Sequence, residues 1–504
     1  MSTMLDAPPL SSTEAPTYGG WRRTRGIGLF GLGTGATLVV LGVIMVELIL
    51  ASVAIRMFVI GIPVAIFIVT VTVLRWQGET LWDRTLRRFR WTWGSMRGYR
   101  TMRGGVLIEH DAAWDLPGVL APTRVVEIDD GRGNRFGMVH DQRTGLLTPT
   151  LHCDARSTWL VDGPQADGWV ANWHNWLADL GVSPMIAWVA VTVETAPEPG
   201  STLAQQVGRR IDPRSPMDAQ QLLQELIMRS PAAAADVDTR VSITFDPKRS
   251  MEKLPDLADQ VAEVSRLLVG LESTLAECGV GVLGRATAAE LAGIMRTAYD
   301  PLARGEVNAL LASGDDEGAA QMLQWGESGP VAHDEDWNVY HHDSGWSVSW
   351  SWYEAPRQQV HSNVLAPLLS PGRWPRRVTL LYRPLSAEAA ATELENEVNA
   401  ATIRDMVRQK QGRDETARDK ADNLRAHQAA REEASGAGVV RMCMYITVTV
   451  TDYEDLSTAC ADIESRAARS KIRLHRLYAS QSAGFAATLP AGIHPSHATS
   501  RGRK

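Results

Sequence analysis

The chain has 504 residues, a formal net charge of -7, 22% charged residues and 44% hydrophobic residues. That balance excludes a disordered polyelectrolyte and a surface coated overall by nucleic acid, and the length exceeds that of a single domain. The four cysteines, Cys153, Cys278, Cys443 and Cys460, are widely separated and form no C-x-x-C pair, which excludes a disulfide-stapled scaffold or zinc ribbon and fits a reducing compartment.

Residues 1–26 read as an N-terminal tail. Gly26, Gly28 and Gly31 match G-x-G-x-x-G, but a dinucleotide turn needs a strand before the glycines and a pyrophosphate-facing helix after them. Here "APTYGGWRRTR" precedes, and an uncharged run from Ile27 to Val46 follows. The glycines therefore belong to the mouth of a membrane span. A second uncharged run covers Met57 to Leu74. Each run has about the length that crosses a hydrocarbon core of ~30 Å, so 27–74 is predicted to be a two-span transmembrane hairpin, with Glu47 and Arg56 in the turn. Arg22, Arg23 and Arg25 precede the hairpin, and Arg75, Arg84, Arg87, Arg88, Arg90, Arg97, Arg100 and Arg103 follow it. Arginine excess marks the cytoplasmic side, which puts both termini in the cytoplasm. Residues 75–103 form a basic, aromatic juxtamembrane segment. Trp21, Arg22 and Arg23 before the hairpin, and Trp76, Trp82, Arg87, Arg88, Trp91 and Trp93 in this segment, are the candidate membrane-interface residues.

From 104 to 162 a small β domain is expected: "TRVVEID" and "RFGMVHD" flank the turn sequence "DGRGN", and "LLTPTLHCD" and "STWLV" continue the pattern. The helix "ADGWVANWHNWLADLG" then places Trp169, Trp173, Trp176 and Leu177 along one face. Residues 163–301 and 374–493 both read β-α-β-α-β, and two related ferredoxin-like α+β modules are predicted. In "RMCMYITVTVTD", Met442, Met444, Ile446, Val448 and Val450 alternate with polar or smaller residues, as for a sheet with one buried and one solvated face. Residues 302–373 contain a connecting helix and a Trp-rich hairpin that turns near Asp343, Ser344 and Gly345. Trp346, Val348, Trp350 and Trp352 share one face of its second strand. The charged stretch Ser386 to Ala434 is expected to break near Gly412 into a helical hairpin, and 494–504 is a basic tail. The fold class is thus an α+β membrane protein with a hairpin anchor, a small β domain and two α+β modules carrying a charged helical insertion.

Candidate chemistry is sparse. His333, Asp334, Glu335, Asp336, His341, His342 and Asp343 form the best metal candidate. Neighbouring strand residues point to opposite faces, so His341 and His342 do not readily share an ion, and the cluster reads as a surface loop. H-E-x-x-H, G-x-S-x-G and G-x-x-x-x-G-K-[ST] are all missing from the sequence. No catalytic residue, cofactor or metal is assigned, and a non-enzyme is expected.

The hairpin after "TYGGWRR", with its basic aromatic tail, resembles the PrgI (VirB-three type) subunit of conjugative type IV secretion. The remainder resembles the N-terminal, non-catalytic domain of the VirB-four type conjugation ATPase. The segment "YASQSAGFAATLPAGI" is similar to the Gln, aromatic, Leu-Pro-x-Gly closure of that domain, here Gln481, Phe485, Leu489, Pro490 and Gly492. Where that family carries its phosphate loop this sequence has "HPSHATSRGRK", so nucleotide hydrolysis is not carried over. The resemblance is to the actinobacterial fused form, in which the motor is a separate polypeptide. It implies an inner-membrane scaffold, oligomeric in its complex, whose partners are the membrane, a motor ATPase and other channel subunits, without sequence-specific nucleic-acid binding. Residues Ser386 to Ile493, and the five closure residues in particular, are the expected motor-docking surface. The alternatives are an EccE-type membrane subunit of type VII secretion and a membrane-tethered enzyme. Because arginines crowd both flanks of the hairpin, a cysteine placed at Ser52 is expected to label from outside intact cells and one placed at Ser500 is not; the reverse result removes this topology.

Overall fold

The computed structural model describes residues 34–497 apart from 54, 77–78, 105–114, 131–132, 134, 156–160, 198–214, 230–234, 253, 357, 411–427, 429–437 and 496. The glycines at 26, 28 and 31 and the expected break at Gly412 lie outside the described residues. Helices α1 (Thr34–Val53) and α2 (Ile55–Val73) contain stretches of mean hydropathy 2.5 and 2.3, with no part of either stretch buried by the protein. Both are long and apolar enough to cross a membrane. Glu47 is not in the turn between them. Glutamate is a good helix former, and α1 runs unbroken to Val53 with the Glu47 carboxylate against α2, where a Cβ on Gly61 would stand 2.5 Å from Oε1.

After α2 come a two-stranded ribbon, β1 (Arg75–Trp76) and β2 (Glu79–Thr80), and helix α3 (Leu81–Met96). The body begins with β3 (Thr101–Arg103), β4 (Thr123–Asp129), β5 (Arg135–Asp141), β6 (Leu146–Ala155), α4 (Gly163–Asp179), β7 (Ile186–Pro197), α5 (Met217–Arg229), β8 (Ala235–Phe245), α6 (Leu257–Ala276), β9 (Val280–Arg285), α7 (Ala288–Tyr299), α8 (Arg304–Leu311) and α9 (Asp316–Met322). It continues with β10 (Ala332–Glu335), β11 (Tyr340–His342), β12 (Gly345–Glu354), α10 (Ala366–Leu369), β13 (Arg376–Pro384), α11 (Ala387–Lys410), β14 (Val440–Val450), α12 (Leu456–Arg469), β15 (Arg473–Arg476) and α13 (Gln481–Ala487). Strands β3 to β15 make one antiparallel sheet of 13 strands in the order β3-β10-β11-β12-β14-β13-β7-β8-β6-β5-β4, with β9 beside β6 and β15 beside β12.

The sheet is built twice over. In the first half the meander β4-β5-β6 is followed by β7, β8 and β9, ordered β9-β6-β8-β7; in the second the meander β10-β11-β12 is followed by β13, β14 and β15, ordered β15-β12-β14-β13. The halves meet where β7 pairs antiparallel with β13. Local details repeat as well: Ala286 donates its N–H to Thr150 O where β9 ends, and Leu477 donates to Ser349 O where β15 ends. Prolines close the equivalent strands β7 and β13, as befits positions without a ladder donor. Strands β6 and β12, which boundaries at 163 and 374 leave outside the modules, are central to these four-stranded sets. The expected hairpin turn at Asp343 is present: Asp343 has φ 36, and Tyr340 pairs with Ser347.

Helices α4 and α6 cover one face of the first half through Trp176, Val264 and Leu268, packed on Leu151, Val189 and Ile243. On the same face of the second half, α10 and α12 pack Leu368, Leu456 and Ile463 on Val348, Trp350, Val378 and Ile446. The opposite face is not solvated, contrary to the alternation argument: Thr447 and Thr449 are 0% and 3% exposed. Its residues are hydroxyls that satisfy one another across strands. Thr148 bonds Thr244 at 3.0 Å and Thr150 bonds Ser242 at 2.8 Å; in the second half Ser347 bonds Thr449 at 2.8 Å and Ser349 bonds Thr447 at 2.9 Å. At the junction Thr192 bonds Thr379 at 2.9 Å. Helices α7 and α13 and the segment after them cover this face, with Leu291, Met295, Tyr299, Phe485 and Leu489 in one cluster. Gly492 crosses the ladder at φ 64; a Cβ there would collide with Thr148 Oγ1 and stand 3.0 Å from Thr244 Oγ1. Gly492→Ala combines backbone strain with that collision, and chemical denaturation should show a loss of about 2–4 kcal/mol.

Candidate membrane interface and buried polar centre

Helix α3 has two unlike faces. Trp82, Leu86, Phe89, Trp93 and Met96 recur at i, i+4, i+7, i+11 and i+14, which places them on one stripe. Trp82, Phe89, Trp93 and Met96 are 58%, 63%, 51% and 82% exposed, so this stripe has no cover from the protein. Arg97 lies over the Trp93 ring at 4.7 Å. The opposite face is docked. Trp91 meets Trp337 edge-on at 5.5 Å, Trp337 stacks on Tyr478 at 5.8 Å, and the Arg88 guanidinium lies 5.1 Å from Trp91 and 4.6 Å from Trp337. Beyond the helix, Arg100 pairs with Asp336 at 3.3 Å, and β3 pairs with β10. An exposed apolar stripe beside two apolar helices, fixed to the body by its other face, has the form of a helix lying in a headgroup layer. Of the candidate interface residues, Trp82, Arg87, Arg88, Trp91 and Trp93 are on α3. Trp21, Arg22, Arg23 and the Trp76 side chain lie outside the described residues. Trp91 and Arg88 are corrected from lipid-facing to body-facing groups, because their helix face is turned half a revolution from the stripe.

The five closure residues are also corrected. Four are buried within the chain itself, with Gln481 and Phe485 at 0% and Leu489 at 3% exposed, and the fifth, Gly492, is half-buried. The Gln481 side chain accepts the Ser349 N–H at 2.6 Å and donates to Leu477 O at 2.7 Å, acting as a substitute strand partner. Phe485 and Leu489 complete the cluster under α7, Pro490 is buried beside them, and Gly492 lies on the hydroxyl ladder. Spacing of four residues is shared by surface anchors and core faces, and here the core claims it.

Within the polar cluster at 333–343, His333, Asp334 and Glu335 lie in β10 and His341 and His342 in β11, while Asp336 is in the exposed connection between them and Asp343 in the turn that follows. His342 is fully buried. A carbonyl only accepts, so its Nδ1 donates to Tyr299 O at 2.6 Å and its Nε2 accepts the Ser347 hydroxyl at 2.7 Å. Burial lowers its pKa to about 3, which keeps the ring neutral. His341 instead stacks on Trp346 at 3.8 Å, His333 packs against Tyr340, and Asp343 accepts the N–H groups of Val331 and Ala332 and pairs with Arg296. Among the described residues no group of three His, Cys, Asp or Glu side chains is placed to hold a metal ion.

A charged centre that sequence reading missed lies on the same hydroxyl face. Glu194 of β7 binds both Arg240 of β8 and Arg304 of α8, and Arg240 also pairs with Asp238 at 3.0 Å. Arg377 of β13 donates to Thr488 Oγ1 at 3.1 Å and stacks on Phe485 at 4.7 Å. Burial pushes the Glu194 carboxyl up, but Arg304, Arg240 and Arg377 outweigh it and hold the group well below the usual range. The available signal was a Glu and an Arg inside the apolar strand patterns "VTVETA" and "TRVSITF". Glu194, Asp238, Arg240 and Arg304 pair with one another and tie β7, β8 and α8 together, while Arg240 Nε and Arg377 Nη2 are buried without a hydrogen-bond partner.

The chain matches no known family model and no characterised protein. Glu194→Gln leaves two buried guanidiniums without their carboxylate and should lower stability by about 3–5 kcal/mol at pH 7 in urea unfolding. Since the folded carboxyl titrates below the unfolded one, the benefit is complete above the ordinary carboxylate range and is lost progressively as pH falls from that range to the lower folded pKa. The gap between wild type and variant should therefore close under acid.

Proposed function

We propose that this chain is a non-catalytic, inner-membrane scaffold subunit of a conjugative type IV secretion machine that holds a separate motor ATPase at the membrane. The observation that carries the membrane half of this reading is α3: two apolar helices lead directly into an uncovered Trp/Phe/Met stripe whose reverse side is clamped to the body. A multi-pass anchor with both termini in the cytoplasm follows from the arginine flanks. The secretion half rests on the resemblance to the PrgI and VirB-four type families. We read the two sets ordered β9-β6-β8-β7 and β15-β12-β14-β13 as ferredoxin-like modules, since both have the antiparallel split βαβ strand order.

With the closure residues inside the core, motor docking moves to another part of Ser386–Ile493. Helix α11 buries Ala390 and Leu394 near its start, then exposes Glu395, Asn396, Asn399, Thr402 and Met406. A helix that leaves its own body in this way is suited to reach a second protein, where a stable contact buries on the order of 1,200 Å² or more. Replacing residues 399–434 by a short Gly-Ser link should lower the far-ultraviolet helical signal only by the turns removed, leave membrane insertion and the thermal midpoint of the body unchanged, and abolish copurification of the motor, identified by mass spectrometry. Undiminished capture would refute docking through this arm, and sustained ATP turnover by the chain freed of every copurifying ATPase would refute the scaffold role.

A further inference from the structure

We propose that Arg376 and Thr195 form a binding site for a small oxyanion, a carboxylate or a phosphoryl group, at the start of β13. Arg376 is 2% exposed and stands directly opposite Thr195, which is 2% exposed, in the β13–β7 register. Both lie on the face that carries Val378 and Val193. Arg376 Nε, Arg376 Nη2 and Thr195 Oγ1 are buried and have no hydrogen-bond partner. Nε and Nη2 together make the edge with which this protein grips carboxylates elsewhere. Arg285 holds Glu272 through that edge at 2.6 and 2.9 Å, and Arg441 holds Glu393 at 3.0 and 2.6 Å. Such a fork accepts two oxygens of one planar or tetrahedral anion, and a hydroxyl beside it supplies a further donor.

The charge count points the same way. The carboxylate next to Arg376 is Asp462, 3.7 Å from Nη1, and its Oδ2 already accepts Arg466 Nε at 2.7 Å. Two guanidiniums therefore share one carboxylate. They come together beneath Gly372, where a Cβ would stand 2.9 Å from Arg376 Nη1 and 3.2 Å from Arg466 Nη2. Burial, and after it the neighbouring Arg466 charge, lower the Arg376 pKa to about 10. A cation buried without full compensation is costly, and folding does not require one here. When the halves are matched by their strand registers, the place of Arg376 in β13 is taken in β7 by Val189, which is 0% exposed in an apolar core. Gly372, half-buried between the exposed Pro371 and Arg373, lies against the Nη1 side of the guanidinium.

The test uses the full chain in detergent, with inorganic phosphate and acetate as separate probes and sodium chloride at matched ionic strength as the reference. Calorimetric titration and the thermal midpoint should show saturable binding of one probe: phosphate assigns a phosphoryl ligand, acetate a carboxylate. Arg376→Val, the side chain of the symmetry mate, should stay folded by circular dichroism and bind at least about tenfold more weakly; Arg376→Gln serves if the valine variant does not fold. Thr195→Val should weaken binding to a smaller degree. Saturable binding that is equally tight in the Arg376 variant would overturn the proposal, as would wild-type protein that responds to neither probe beyond chloride, in which case the fork is met by buried water only.

Discussion

A sheet covered on both faces must satisfy every polar group on both faces, and the hydroxyl ladder is how this protein meets that condition. Each Thr–Thr or Ser–Thr bond contributes little net stability, but a buried hydroxyl left alone costs about 1–3 kcal/mol. The pairs Thr148–Thr244, Thr150–Ser242, Thr192–Thr379, Ser347–Thr449 and Ser349–Thr447 remove that cost strand by strand. Once the hydroxyls face one another, an apolar layer can lie over them. Phe485, Leu489 and Tyr299 form it, and Gln481, Thr488 and Gly492 connect it to the strands beneath. The closing segment of the chain is therefore part of the sheet's second face, and trimming it would expose the ladder.

This dependence explains which parts of the sequence were legible. Alternation in "RMCMYITVTVTD" identifies a strand because period two is a property of the backbone. It does not identify the wet face, because Thr is polar enough for water and small enough for a core, and only the register of the neighbouring strand decides. The Trp-rich strand was easier: Val348 and Trp350 have no acceptable place except a core, and they occupy one. Glu194 and Arg240 were overlooked for the opposite reason, since a charge in an apolar strand is informative only when its partner, nearly fifty residues away in sequence, is known. The role of Phe485 and Leu489 was misread because helical spacing says which residues share a face and not what that face meets.

The two halves share strand order and ladder, yet they have diverged where they meet other things. At one sheet end β10 carries β3, and through it α3 and the two apolar helices, while β4, the counterpart of β10 at the other end, has no such extension among the described residues. The first half follows its last strand with α7, α8 and α9, and the second, among the elements described, with α13. The strand order repeats, and the α3 clamp, helix α11 and Arg376 are places where the two halves differ.

The frame also sets a distance. From β3 to β4 the sheet path crosses ten strand spacings of about 4.8 Å, or about 48 Å before twist shortens it. Strands joined edge to edge by backbone hydrogen bonds, with the junction β7–β13 paired over seven residues of register, resist bending in the plane of the sheet far better than domains joined by a linker. The edge that docks α3 through Trp91, Arg88 and Trp337 is therefore held at a fixed position relative to the other strands of the sheet. For the task proposed above, a continuous sheet has the merit that the two halves are joined in one piece, without a linker between them.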